Sequence, residues 1–254
     1  MQLTRVIAQP DLPMLDPFLL LDEFGSDKPG DYLAGFPDHP HRGFETVTYL
    51  LAGRMRHRDN QGNSGLLTPG SVQWMTAGSG IVHSEMPEQE NGLLRGFQLW
   101  VNLPAADKMT APRYQDIAPE RIPEVESAGA NVRVVAGSYG GVTGPVNGIA
   151  TEPLYLDVKL DAGARFETAV AGSHNAFVYV YDGAARIGDA TLGRGDLAVL
   201  TAGDAISVEA TEPAALLVVA GKPLGEPVAR YGPIVMNTRA ELERAFEDLR
   251  EGRF

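Results

Sequence analysis

Apolar residues along this chain come in short runs broken by Gly, Pro and Asp, the punctuation of strands joined by tight turns. Residues 44–51 are rich in β-branched and aromatic side chains and close on Ala52-Gly53, which predicts a strand entering a turn. Pro69-Gly70 introduces a run at 71–75, and Gly78-Ser79-Gly80 another at 81–85. Residues 96–103 follow, stopped by Pro104. Strands at such even spacing suggest a barrel or sandwich.

Residues 105–130 are poorer in strand signal and read as a connection. The pattern then resumes: Leu154–Leu160 alternates before Asp161-Ala162-Gly163, and 177–181 stop at Asp182-Gly183. The second half thus reads as a diverged copy of the first. The expected domains are 1–120 and 131–254. A single helix is expected at the C-terminus, within the second domain. Thr238 and Glu241 form a capping-box pattern, and Leu242, Ala245, Phe246 and Leu249 fall at helical spacing before Gly252. That stripe is read as core-facing.

Composition narrows the chemistry. Gly (29) and Pro (18) make roughly a fifth of the 254 residues, against about an eighth in average proteins. There is no cysteine, which excludes disulfides, thiolate metal sites and cysteine nucleophiles. Any metal must be held by nitrogen and oxygen. The formal charge of −12 disfavours direct nucleic-acid binding. The N-terminal segment lacks the apolar run of a signal peptide, and no stretch is long enough for a membrane span. The expectation is a cytoplasmic protein.

Histidine is scarce: two of the five sit in His39-Pro40-His41 and a third in His83-Ser84-Glu85. Residues i and i+2 of a strand share a face, so each tripeptide can aim two donors inward. Together they offer three imidazoles and a carboxylate, a set suited to Fe(II), Mn(II), Ni(II), Cu(II) or Zn(II). Such a set leaves open positions on an octahedral ion, as catalysis needs. Glu45 shares the parity of His39 and His41, and His-x-His followed by Glu is the usual cupin metal motif. Spacing alone leaves Glu45 and Glu85 both open as the oxygen ligand.

The remaining candidates have plainer readings. His57 lies in a charged stretch and is expected to pair with Asp59 or face solvent. His174 has no His-x-His or His-x-Glu partner and reads as a loop residue. Trp74, Met75, Phe97 and Trp100 read as core. Arg42, next to a ligand candidate on a strand, would point to the opposite face in a structural role.

Several long segments resemble the pirin family: PHRGFETVTYL at 40–50, PGSVQWMTAGSGIVHSEMP at 69–87, QLWVNLP at 98–104, GKPL at 221–224 and YGPIVMNT at 231–238. The resemblance implies an all-β bicupin: two facing β-barrels with a short C-terminal helix, sufficient as a monomer. Only the N-terminal barrel is expected to carry metal, usually iron. Carried over by motif, the ligands are His39, His41, His83 and Glu85, leaving Glu45 to orient a ligand or sit in a polar rim. Pirins resembling quercetin 2,3-dioxygenases imply an enzyme that opens a flavonol ring with O2, with Glu85 as general base. Other pirins imply a different class, an iron-dependent redox sensor that docks to a transcription factor or metabolic enzyme.

Overall fold

The computed structural model describes all residues, Met1–Phe254. They form two compact units, Met1–Pro119 with Leu224–Phe254, and Glu120–Pro223. The first unit opens with β1 (Leu3–Ile7), β2 (Phe18–Ser26), β3 (Phe36–His41), β4 (Phe44–Ala52), β5 (Met55–Asp59), β6 (Ser64–Leu67), β7 (Val72–Thr76), β8 (Ile81–Pro87), β9 (Leu94–Asn102) and β10 (Arg113–Ile117). These make a six-stranded sheet, β1-β2-β9-β4-β7-β10, and a four-stranded sheet, β3-β8-β5-β6.

Strand alternation decides which side chains enter the space between them. Thr46 lies opposite Trp100, and Thr48 opposite Gln98, so all four leave one face of the larger sheet. That face meets the smaller sheet. Thr48 bonds Glu85 of β8, while Phe44 and Trp100 pack on His41 of β3. The opposite face of β4 carries Glu45, Val47 and Tyr49, all buried.

The turn from β3 to β4 depends on one glycine. Gly43 has φ +84°, and an added Cβ would collide with the Val235 carbonyl oxygen. The buried Lys108 ammonium holds this turn by donating to Gly43 O at 2.7 Å, Asn102 Oδ1 at 2.7 Å and Val235 O at 3.2 Å.

The second unit contains β11 (Glu124–Ser127), β12 (Ala130–Ala136), β13 (Ser138–Tyr139), β14 (Val142–Thr143), β15 (Leu154–Leu160), β16 (Arg165–Ala169), β17 (Asn175–Asp182), β18 (Ala185–Ile187), β19 (Ala190–Leu192), β20 (Leu197–Val199), β21 (Ala205–Ala210) and β22 (Ala214–Gly221). Its main sheet runs β11-β12-β15-β22-β17-β20, beside a smaller one of order β16-β21-β18-β19. Alternate residues build a large apolar cluster, including Val132, Leu156, Phe166, Val178, Ile206 and Leu216.

One expectation needs correction. The stretch 105–130 is not a bare connection: it holds β10 and β11, whose mixed polar faces give no alternating apolar signal. The closing segment packs with the first compact unit. It forms β23 (Ala229–Tyr231), β24 (Ile234–Met236) and a helix, Arg239–Arg250. Ile234 bridges to Arg42, and the Arg42 guanidinium donates to Asp248 Oδ2 on the helix at 2.7 Å. The segment is therefore part of the first unit. The helix forms as expected, with Thr238 and Glu241 making the capping box. Its stripe packs on Ile234, Met236 and Phe254.

Candidate metal site

β3 and β8 are hydrogen-bonded neighbours in which His39 lies opposite His83. The two-residue spacing then brings His41 to the same face. Ring centroids are 4.6 Å apart for His39–His41, 4.5 Å for His39–His83 and 5.0 Å for His41–His83. One nitrogen from each ring lies within 4.8 Å of the others, a cluster able to hold a metal ion.

The cluster's chemistry supports that use. His41 and His83 are buried, and neither nitrogen of either ring has a hydrogen-bond partner. Buried polar atoms are normally satisfied, so these lone pairs await an electrophile. Burial holds the His41 imidazole well below its usual range, helped by the charges of His83 and His39. Burial, with His39, brings His83 down to about 3. Both rings are thus neutral at pH 7, the form that ligates. His39 places Nδ1 2.8 Å from the Pro37 carbonyl oxygen. With Nδ1 donating there, the other ring nitrogen is left as the free donor atom.

Glu85, two residues beyond His83, is also buried, but its carboxylate is not among the clustered atoms. It meets Thr48 Oγ1 at 2.8 Å and receives a long bond from Gln98 Nε2 at 3.4 Å. Burial raises its pKa, opposed chiefly by the charge of His39. Thr48 has a single hydroxyl proton and faces two acceptors, Glu85 Oε1 at 2.8 Å and Gln98 Oε1 at 2.6 Å. The one proton serves a single acceptor at a time, so the Glu85 carboxylate and the Gln98 amide oxygen compete for it.

Glu45 does not join the site. The turn at Gly43 resets the parity between β3 and β4, which places Glu45 opposite Thr76 on the far face of the larger sheet. Its carboxylate accepts from Thr76 Oγ1 at 2.6 Å. His57 departs from its exposed reading. It is 1% exposed, because the alternation of β5 turns Met55 and His57 inward. Gly65 lies opposite, where an added Cβ would strike the ring. The His57 ring stacks on Tyr114 at 5.0 Å, with Nε2 3.4 Å from Asp116 Oδ2. Asp59 instead bonds Asn63 and Gln61. Arg42 has the structural role expected, donating to Ser79 O and Asp248. His174 sits in the bend before β17.

A cavity of 510 Å³ opens onto the cluster. His39, His41 and Glu85 lie in its wall with Gln98, Trp100 and Arg230. Trp74, Met75 and Phe97 are core, as expected. Sequence reasoning did not find Thr48, Gln98 or Arg230. The first two had a faint signal, as polar side chains at alternate positions of otherwise apolar strands. Arg230 had none, since it reaches the site from the closing segment.

The pirin family model matches residues 1–101, and that of the pirin C-terminal cupin domain matches 155–254. The chain is 52% identical to a pirin-like protein of Caulobacter vibrioides over 100% of this chain and 92% of that one. It is 45% identical to human pirin, covering 98% of this chain and 86% of that one. Among solved structures it is similar to a quercetin 2,3-dioxygenase from Acinetobacter baumannii, with 39% identity and a TM-score of 0.88, covering 94% of this chain and 86% of that chain.

Proposed function

This chain belongs to the pirin family, and we propose that it is a metal-dependent dioxygenase of the quercetin 2,3-dioxygenase type, which opens a flavonol ring with O2. The observation that carries this reading is the cavity, which brings solvent-accessible space, two imidazoles of the cluster and the Glu85 carboxyl together. A sensor acting through its surface has no need of such a space beside its metal. This favours the enzyme over the redox-sensing regulator that docks to a transcription factor or metabolic enzyme.

His39, His41 and His83, with Glu85 as oxygen donor, would hold one divalent transition metal, Fe(II) by preference, from a donor set that also accepts Mn, Ni, Cu or Zn. Such an ion supplies Lewis acidity that lowers the pKa of an enol hydroxyl. The remaining work falls to the chain. Trp100 gives the cavity an aromatic wall against which a flat ring can lie. The Glu85 carboxylate takes the proton of the substrate's enol hydroxyl onto one of its oxygens. Thr48 then accepts the hydrogen bond from that proton and passes its own to Gln98, so the protonated carboxyl stays in place.

The test is incubation of the iron-loaded protein with quercetin, with and without O2. The expected result is oxygen-dependent loss of the flavonol absorbance, abolished together with bound metal in His41→Ala. Absence of that loss across all five metals would sink the reading.

A further inference from the structure

One wall of the cavity carries a cation that is held in no ion pair. Arg230, on β23, donates Nε to Gly232 O at 3.3 Å and Nη1 to Leu19 O at 3.1 Å. Its Cζ lies 4.7 Å over the Trp100 ring. The other acids and bases of the cavity are accounted for. Asp22 is taken by Arg5 through two bonds of 2.9 Å. Asp38 stands exposed on β3, where solvent screens its charge. Glu85 is engaged with Thr48. Arg230 forms no ion pair, its two bonds go to neutral carbonyls, and a guanidinium has five N–H groups to give. Asp22 is the acid whose charge it feels, but that carboxylate is engaged with Arg5, so Arg230 is clamped in place with unused donors at the cavity.

Its position relative to the imidazole cluster sets the scale. Both border Trp100: its ring is 5.3 Å from His41 and 4.7 Å from the Arg230 guanidinium. All three line the one cavity, so a ligand held at the cluster can reach the guanidinium.

We propose that Arg230 is the specificity-determining residue of this cavity, and that the substrate carries a carboxylate at the end remote from the imidazole cluster. This rests on the cavity being a substrate site, as argued above, and narrows the substrate to an aromatic enol acid. The planar guanidinium matches a carboxylate in charge and geometry. A neutral flavonol would leave its donors unmet. The bond to Leu19 O also braces β23 against β2, but that structural service needs no charge selectivity toward a ligand, so the two roles separate experimentally.

The experiment compares 3-hydroxyflavone with its 4′-carboxylate, which share the enol end and differ by one anionic group. Both are titrated anaerobically into the full-length, metal-loaded protein, and into Arg230→Gln and Arg230→Lys with metal content checked. The readout is the ratio of the two dissociation constants within each protein. The wild type is expected to prefer the carboxylate by about tenfold or more, as for a charge-assisted hydrogen bond. The preference should weaken with added salt, persist in part in Arg230→Lys and vanish in Arg230→Gln. Equal affinities in the wild type, an undiminished preference in Arg230→Gln, or no binding of either compound would overturn the proposal. Admitting air then addresses the chemistry separately. Preference for the acid without oxygen consumption would sink the dioxygenase reading and leave the role of Arg230 standing.

Discussion

At His83 both ring nitrogens are buried and without a partner, so the folded protein resists putting a proton there. An unfolded imidazole titrates near pH 6.5, whereas burial brings the folded one down to about 3. Below pH 6.5 the unfolded chain therefore binds a proton that the native state refuses. The stability this group contributes is complete above pH 6.5 and lost as pH falls toward 3. Between pH 7 and 5 the loss is about 2 kcal/mol. Glu45 and Glu85, both raised by burial, work in the opposite direction, so the readout is a difference. The stability of the metal-free wild type relative to His83→Gln, from urea denaturation, should shrink by about 2 kcal/mol from pH 7 to pH 5. An unchanged difference would mean that His83 titrates normally in the folded state. Residue identity announced the three imidazoles, but parity alone left two carboxylates open. Glu45 has the same parity in sequence as His41 and lies on the other face of its sheet, because Gly43 interrupts the alternation. Glu45→Gln is accordingly expected to keep full metal content and to cost about 1 kcal/mol through its bond to Thr76. Glu85→Gln should weaken metal binding and abolish turnover, measured by metal analysis and flavonol loss.

The reversal between β3 and β4 is the element that sets this geometry, and it is the most fragile. Gly43→Ala meets a left-handed backbone and a carbonyl oxygen at once, so a destabilisation of about 3 kcal/mol or more is expected in chemical denaturation. The C-terminal helix tolerates change better. Thr238→Ala removes half of its capping box and should cost about 1 kcal/mol. The two elements differ in legibility for a physical reason. A capping box followed by an apolar stripe is local, and the helix at Arg239–Arg250 could be read from its own residues. Its attachment was not local. The Arg42–Asp248 ion pair joins residues some two hundred positions apart, and nothing near either one announces the other. Strand β10 escaped for a related reason. As the outer strand beside β7, it mixes Arg113, Gln115 and Asp116 with its apolar residues, the composition that keeps sheet edges from aggregating.

Across the whole molecule the two units have interiors of opposite kinds, and this bears on how much metal the chain takes up. The first encloses three clustered imidazoles and a buried carboxyl. The second fills the equivalent space with Val, Leu, Ile and Phe. This difference was legible, because the histidine pairs occur only before residue 86 and His174 stands alone in the second half. The strand pattern was similar in both halves and could not have shown it. An apolar interior offers no lone pairs, and a lone, half-buried imidazole in a bend supplies too few donors for a transition metal. The protein should therefore bind one metal ion per chain. Elemental analysis after saturation and desalting is expected to give a ratio near one for the wild type and for His174→Ala, and near zero for His41→Ala. A ratio near two, or a fall in His174→Ala, would place a second ion in the other unit.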